Sequence, residues 1–208
     1  MKPTRPLTIA LSKGYLMTET LKQFETIGIH FDEDLEKSRK LFALDRSKRF
    51  KILKIRPWDV PEYVKEGAAD IGIAGQDVLL EKDSPVLKLL DLKFGACKLV
   101  LAGPTRAKKR GLQQNMTIAT KYPNATEAYF KQKGINIKLI KLYGAIELAP
   151  LTGLSDIICD LTATGRTLKE HNLHILDTVF TSTAVLIANP TSFKVHYDTI
   201  QTLANGLK

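Results

Sequence analysis

The chain has 208 residues, 44% of them hydrophobic and 25% charged, with 31 Lys and Arg against 22 Asp and Glu for a formal net charge of +9. This is an ordinary globular mix, too apolar for extended disorder, and no apolar run approaches the ~20 residues that cross a bilayer. Two cysteines, Cys97 and Cys159, cannot build a disulfide framework or a zinc finger, and their apolar surroundings suit buried, inert thiols.

Residues 7–11 read as a buried strand. A tight turn at Ser12, Lys13 and Gly14 follows, then a helix in which Leu16, Met17, Leu21, Phe24 and Ile27 recur at helical spacing before Gly28 caps it. Such a unit points helix amides at the turn. A second strand is predicted at 50–55. Asp59 as N-cap, Pro61 in the first turn and Glu62 at a capping-box position open a helix that Gly67 ends. Strands follow at 69–74 and 98–102, with a short helix from Gly75 between them and a basic loop, Arg106 to Arg110, after them. Next come a strand at 117–120, a helix opened by Asn124 and Glu127 and ended by Gly134, and an alternating strand through Ile135, Ile137 and Leu139. A short apolar helix over 147–154, a buried strand at 156–161, a last strand at 184–188 and a helix through Tyr197, Ile200 and Leu203 complete the chain. The rhythm predicts an α/β fold with mainly parallel sheets. The absence of a linker is compatible with a chain that crosses into a second lobe and returns.

The cations are concentrated between Lys37 and Arg56, where Asp45 is the only acid, and again at Arg106, Lys108, Lys109 and Arg110. No helix-turn-helix, zinc-finger or RNP signature accompanies them, and 7% aromatic residues is thin for base stacking. A small polyphosphate would use the same charge, and a solvated surface explains most of the lysines. The most informative stretch is 160–168. It leaves a buried strand and precedes a helical run, so its backbone amides can face an anion. Gly165 permits close approach, and Thr164 and Thr167 add hydroxyls. Asp160 suits sugar hydroxyls rather than phosphate. A phosphorylated sugar fits this set, and so does an ordinary strand-to-helix loop with threonine caps. Glu147, the only acid in its apolar run, belongs either to a helix start or against a polar ligand. Lys13 and Gly14 form a second possible anion turn. Arg39 and Arg56 stand in the basic block, Arg56 just after a strand, where α/β ligands bind. Walker A, GxGxxG, HExxH, CxxC and GxSxG patterns are absent, and His30, His171, His174 and His196 form no ligand set. Any chemistry would therefore run by positioning and electrostatics, without a covalent intermediate.

The stretch from Glu147 to Leu168 resembles the signature of the ATP phosphoribosyltransferase family, through Glu147, Gly153, Ser155, Asp160, Thr164, Gly165 and Thr167. Segments 11–14, 38–41, 56–61, 72–77, 119–124 and 141–144 are also similar to the family. The resemblance implies attack of adenine N1 of ATP on C1 of phosphoribosyl pyrophosphate (PRPP), giving phosphoribosyl-ATP and pyrophosphate, the first step of histidine biosynthesis. It implies Mg2+ with the pyrophosphate, metal ligands left open. Ala163, Thr164, Gly165, Arg166 and Thr167 would cradle the PRPP 5-phosphate, Glu147 and Asp160 would hold ribose hydroxyls, and Lys13 and Gly14 would lie near pyrophosphate. Arg39 and Arg56 would carry catalysis by facing the ATP phosphates and the departing group. The implied fold is two lobes like a type II periplasmic binding protein with the site in the cleft: 1–95 plus 179–208, and 96–178 with the phosphate loop. The chain length resembles the family's short form. That form implies a homodimer joined in a hetero-oligomer by a regulatory subunit like histidyl-tRNA synthetase, with neither nucleic acid nor membrane as partner. An N-terminus without a signal-peptide core makes the cytoplasm the expected location. A non-catalytic small-anion binder of the periplasmic class is the alternative. Tyr15 stands where the family commonly has Arg, and Trp58 where a small or basic residue is usual.

Overall fold

A computed structural model describes residues 5–208, which fall into two compact units, one running to Gly95 and resuming over Thr183–Lys208, the other Ala96–Ser182. The first unit begins with β1 (Leu7–Ser12), α1 (Tyr15–Thr26), β2 (Phe42–Leu44) and β3 (Phe50–Ile55). A 3-10 turn (Pro57–Asp59) leads into α2 (Val60–Lys65), β4 (Ile71–Gly75), α3 (Gln76–Lys82) and β5 (Leu87–Asp91). The second unit holds β6 (Cys97–Gly103), α4 (Thr105–Arg110), β7 (Met116–Thr120), α5 (Pro123–Gln132) and β8 (Ile137–Lys141). It continues with α6 (Leu148–Leu151), β9 (Ile157–Thr162), α7 (Arg166–Glu170) and β10 (His174–Ser182). The chain then returns to the first unit with β11 (Ala184–Ala188), α8 (Pro190–Val195) and α9 (Tyr197–Gly206).

The first sheet has the order β2-β3-β1-β4-β11-β5 and is covered on both faces. Leu7, Ile9 and Leu11 of β1 pack with Met17 and Phe24 of α1 and with Ile200 and Leu203 of α9, while Ala10 turns to Val60 and Val64 of α2. Burial on both faces is why the strand reads as a continuous apolar run. Gly72 permits the close seat of α2, since a Cβ there would come within 2.8 Å of Val64 and 2.9 Å of Val60. The second sheet has the order β10-β6-β9-β7-β8. One of its faces packs Val100, Ala119 and Ile158 against Ile146, Ala149 and Leu168.

The expectation of mainly parallel sheets requires correction. β1 is parallel to β3 and β4, and β7 to β8 and β9. The strands by which the chain enters or leaves each unit, β5, β6, β10 and β11, are all antiparallel to their neighbours. β6 and β11 follow directly on β5 and β10 with no helix between, whereas parallel pairing needs a crossover, so these two run against their neighbours. β5 and β10 lack the continuous apolar run that marks the central strands, β2 is only three residues long, and the sequence does not predict them. Thr178 to Ser182 belong to β10, so the second unit extends to Ser182. The basic loop at 106–110 is instead α4, whose last turn carries Lys108, Lys109 and Arg110, where cations suit the helix dipole. Asp59 sits in the αR region at the end of a 3-10 turn and makes no side-chain cap. Glu62 pairs with Lys65 instead. Likewise α5 starts at Pro123, which places Asn124 and Glu127 inside the helix rather than at a capping box. Cys159 is buried as expected, Cys97 only half so, and neither forms a disulfide.

Candidate active site

In the first unit the parallel strands β1 and β3 end in register, Ser12 beside Ile55. Lys13 and Arg56 are the next residues, so two exposed cations leave neighbouring carboxyl ends of one sheet. That edge is where ligands of open α/β sheets bind. Gly14 makes the turn possible with a φ of 94°, and its carbonyl accepts the amides of Met17 and Thr18 as α1 begins. Arg39 lies on the irregular segment before β2 and is exposed. Among the described residues Lys13, Arg39 and Arg56 make no ion pair, whereas neighbouring Lys37, Lys40 and Arg46 are matched by Asp34, Glu33 and Asp32. The acids upstream of the basic block thus neutralise part of it, leaving charge at discrete points rather than in a stripe.

In the second unit the parallel pairing of β7 and β9 stops at Thr120 beside Cys159, where β7 ends and β9 continues to Thr162 along β6. Lys121 and Asp160 come next, and the loop at 163–165 follows. Thr120 Oγ1 donates to Cys159 O at 2.7 Å and accepts from Tyr122 N at 2.8 Å, which fixes the turn. Asp160 accepts from the amide of Leu161 at 2.8 Å. Burial pushes its carboxyl up to about 6, the Leu161 amide opposes, and Glu147 raises it further against Lys121. A second acid nearby and a desolvated setting are the two ways a carboxyl becomes protonated near neutrality. Glu147 is half-buried at the N-cap position of α6 without making a cap bond. Of the two places expected for it, the structure shows the helix start, and from there its charge acts on Asp160.

The loop itself is built by short-range bonds. Gly165, at φ 74° and ψ 8°, adopts the left-handed conformation, and its amide donates to Thr162 Oγ1 at 2.9 Å. The Arg166 guanidinium turns along α7 to Glu170 at 2.9 Å, so Arg166 offers the loop its backbone more than its charge. Ala163, Thr164 and Thr167 are exposed. The first backbone bond of α7 runs from Lys169 N to Gly165 O at 3.1 Å, so the amides ahead of it lie outside the helical pattern. Thr162, which accepts from Gly165, and Lys121, whose charge acts on Asp160, are neighbours the sequence did not single out. Their only signal is position, one at a strand's last residue and one just beyond a strand. Gly153 and Ser155 serve the frame: Gly153 ends the α6 turn at φ 78°, and Ser155 is buried ahead of β9. The structure groups Glu147 and Asp160 with the 163–167 loop, and Lys13 with Arg56, each within its own unit.

A family model described as ATP phosphoribosyltransferase matches residues 56–208. An ATP phosphoribosyltransferase of Geobacter metallireducens is 44% identical over 205 residues, covering 97% of each chain. One from Caldanaerobacter subterraneus subsp. tengcongensis is 44% identical over 202 residues, 97% of this chain and 96% of its own. Among solved structures, the ATP phosphoribosyl transferase (HisG:HisZ) complex from Thermotoga maritima aligns with a TM-score of 0.82 at 37% identity, over 97% of this chain and 96% of that one. The periplasmic aliphatic sulphonate binding protein SsuA from Escherichia coli aligns at 0.64 and 14% identity over 98% and 71%, a likeness of fold alone.

Proposed function

The chain belongs to the ATP phosphoribosyltransferase family, and from that premise we propose how its two groups of strand-end residues divide the reaction. The enzyme is a pentosyltransferase that joins ATP to PRPP in the first step of histidine biosynthesis. The bond from C1 of the ribose to pyrophosphate breaks as a bond from adenine N1 to C1 forms. Adenine supplies its own lone pair, so no side-chain nucleophile is needed. The barrier lies in separating an anionic leaving group from a sugar that becomes cationic, and fixed charge and hydrogen-bond donors lower such a barrier.

In this division Ala163, Thr164, Gly165, Arg166 and Thr167 receive the PRPP 5-phosphate, with Glu147 and Asp160 on the ribose hydroxyls. Lys13, Gly14, Arg39 and Arg56 receive pyrophosphate and the ATP phosphates. The observation that carries the assignment is Asp160 beside the left-handed Gly165 loop, a carboxyl short of partners next to a turn that can admit a phosphate. Among the described residues no cluster of three or more His, Cys, Asp or Glu could cage a metal. Mg2+ commonly takes one or two carboxylates plus substrate phosphates, and the Glu147 and Asp160 pair fits that mode. A divalent cation there, Mg2+ in our proposal, would neutralise charge on the pyrophosphate.

We also propose a homodimer that joins a regulatory subunit like histidyl-tRNA synthetase, since the Thermotoga maritima relative is a complex of two kinds of chain. No helix among the described residues is long and apolar enough to cross a membrane, and we place the enzyme in the cytoplasm. The test is to mix the chain with ATP, PRPP and Mg2+. Pyrophosphate release with a near-ultraviolet absorbance change is expected. Anion binding without turnover would instead favour a plain binding protein. Histidine should inhibit only when the regulatory subunit is added, and strong inhibition of the chain alone would sink that assignment.

A further inference from the structure

Burial alternates along β3, and Lys54 falls in phase with Phe50 and Ile52, on the core side. Lysine is almost never fully buried without partners, yet Lys54 is only 6% exposed. It makes no ion pair among the described residues. Its ammonium donates to two backbone carbonyls, Leu35 O at 3.1 Å and Ser38 O at 2.7 Å. Its own backbone amide donates to Leu41 O at 2.8 Å. One residue therefore grips the start, middle and end of the 35–41 segment, which has no helix or strand of its own. Arg39 lies inside that grip. Lys54 also pairs in register with Leu11, two residues before Lys13, so the segment is anchored at the strand edge that carries the Lys13 turn.

A charge in this place is costly. Burial first, then nearby Lys13, hold the Lys54 ammonium below the ordinary lysine range, with Glu33 opposing. Leucine or methionine would pack at the same position without that cost. The retained donors need a use beyond packing, and among the described residues the only groups they reach are the carbonyls of Leu35 and Ser38, on the Arg39 segment.

We propose that Lys54 is a positioning residue for the nucleotide side of the reaction, fixing the 35–41 segment so that Arg39 meets substrate phosphate. The inference rests on the assignment of Arg39 to phosphate made above and adds the residue that makes Arg39 competent.

Lys54→Met keeps the stem and removes the donors. Its KM for ATP should rise roughly tenfold, the loss expected for misplacing one charge-assisted contact, while the KM for PRPP stays within about twofold. Amide hydrogen exchange over 35–41 should quicken in Lys54→Met and not in Arg39→Ala. The deciding measurement is the double-mutant cycle, in which Lys54→Met adds little to Arg39→Ala if the two act as one unit. Additive losses would overturn the inference. So would an unchanged KM for ATP in Lys54→Met beside an impaired Arg39→Ala, and the Arg39 assignment would then survive. A silent Arg39→Ala in an active enzyme would overturn both. Lys54→Gln, with a donor on a shorter stem, takes the same place in the cycle if Lys54→Met does not fold.

Discussion

Asp70, just before β4, and Asp160, within β9, are both carboxyls of low exposure, one in each unit, and their surroundings differ in kind. Asp70 precedes β4 with its side chain fully buried and receives a complete set of donors. Arg5 reaches both its oxygens at 2.7 Å, the Thr8 amide donates at 2.8 Å and Ser192 Oγ at 2.7 Å. Burial works to raise its pKa, and these partners outweigh it, so the carboxyl stays below its usual range. Asp160 has the amide of Leu161, a distant lysine and a second acid, and burial carries it up to about 6. Desolvation acts on both; the partner set decides the outcome. A carboxylate completed by its own chain holds the fold, whereas one left short, just past the end of the β7–β9 pairing, has lone pairs to offer a ligand.

The sharpest way to break this contrast is to delete each carboxyl. Asp70→Ala should cost about 3 kcal/mol of stability, the low end for breaking a buried ion pair because Arg5 is half exposed, with KM values for both substrates unchanged. Denaturant unfolding measures the first and steady-state kinetics the second. Asp160→Ala should do the reverse. It should weaken PRPP binding by about 1.5–3 kcal/mol, roughly ten- to a hundredfold, with little loss of stability. Normal PRPP affinity in that variant would remove Asp160 from the site.

Acid should separate the two carboxyls as well. Asp70, depressed in the folded chain, contributes stability that is present above the unfolded carboxylate value and lost as pH falls through the folded one. Asp160, raised, contributes stability that is full below the unfolded value and lost as pH rises through about 6. Stability of Asp160→Asn relative to the parent should therefore improve as pH is raised from about 4 to about 7. PRPP affinity, which needs the ionised acceptor, should fall as pH drops below about 6, by roughly tenfold per unit. A pH-independent KM for PRPP between pH 5 and 7 would contradict this.

The smallest expected effect comes from adding charge to the first unit. Tyr15 is 62% exposed at the first position of α1, beside the Lys13 turn. Tyr15→Arg should tighten pyrophosphate product inhibition by about 1 kcal/mol, tempered by the cost of a cation at a helix start. No change in pyrophosphate inhibition would show that position 15 points away from the leaving group.

The central strands, the turn at Gly14 and the Gly165 loop were legible because each is set by local chemistry: two-sided burial gives an apolar run, and a left-handed turn demands glycine. The pairing of strands was less so. β10 is marked by no such run, since Thr178 and Thr181 interrupt it, and its register against β6 shifts at Asp177 and Phe180. Roles that depend on a distant partner stayed hidden. Lys54 reads as one more cation of a basic block, and only the carbonyls of Leu35 and Ser38 distinguish it. Asp160 was legible as a candidate, but its raised pKa comes from burial first and from Glu147 after it, and both depend on the folded second unit.

The position of β11 bears on how the chain is made. It lies between β4 and β5 in the first sheet, yet almost a hundred residues separate β5 from it, and the whole second unit is synthesised in between. On a ribosome, Ala96–Ser182 can close while the first sheet still stops at β4, with that edge unpaired and β5 without its neighbour. Exposed strand edges in nascent chains invite aggregation. Nascent chains arrested just before Ala184 should therefore engage chaperones most strongly, and release of only the next few residues should relieve them.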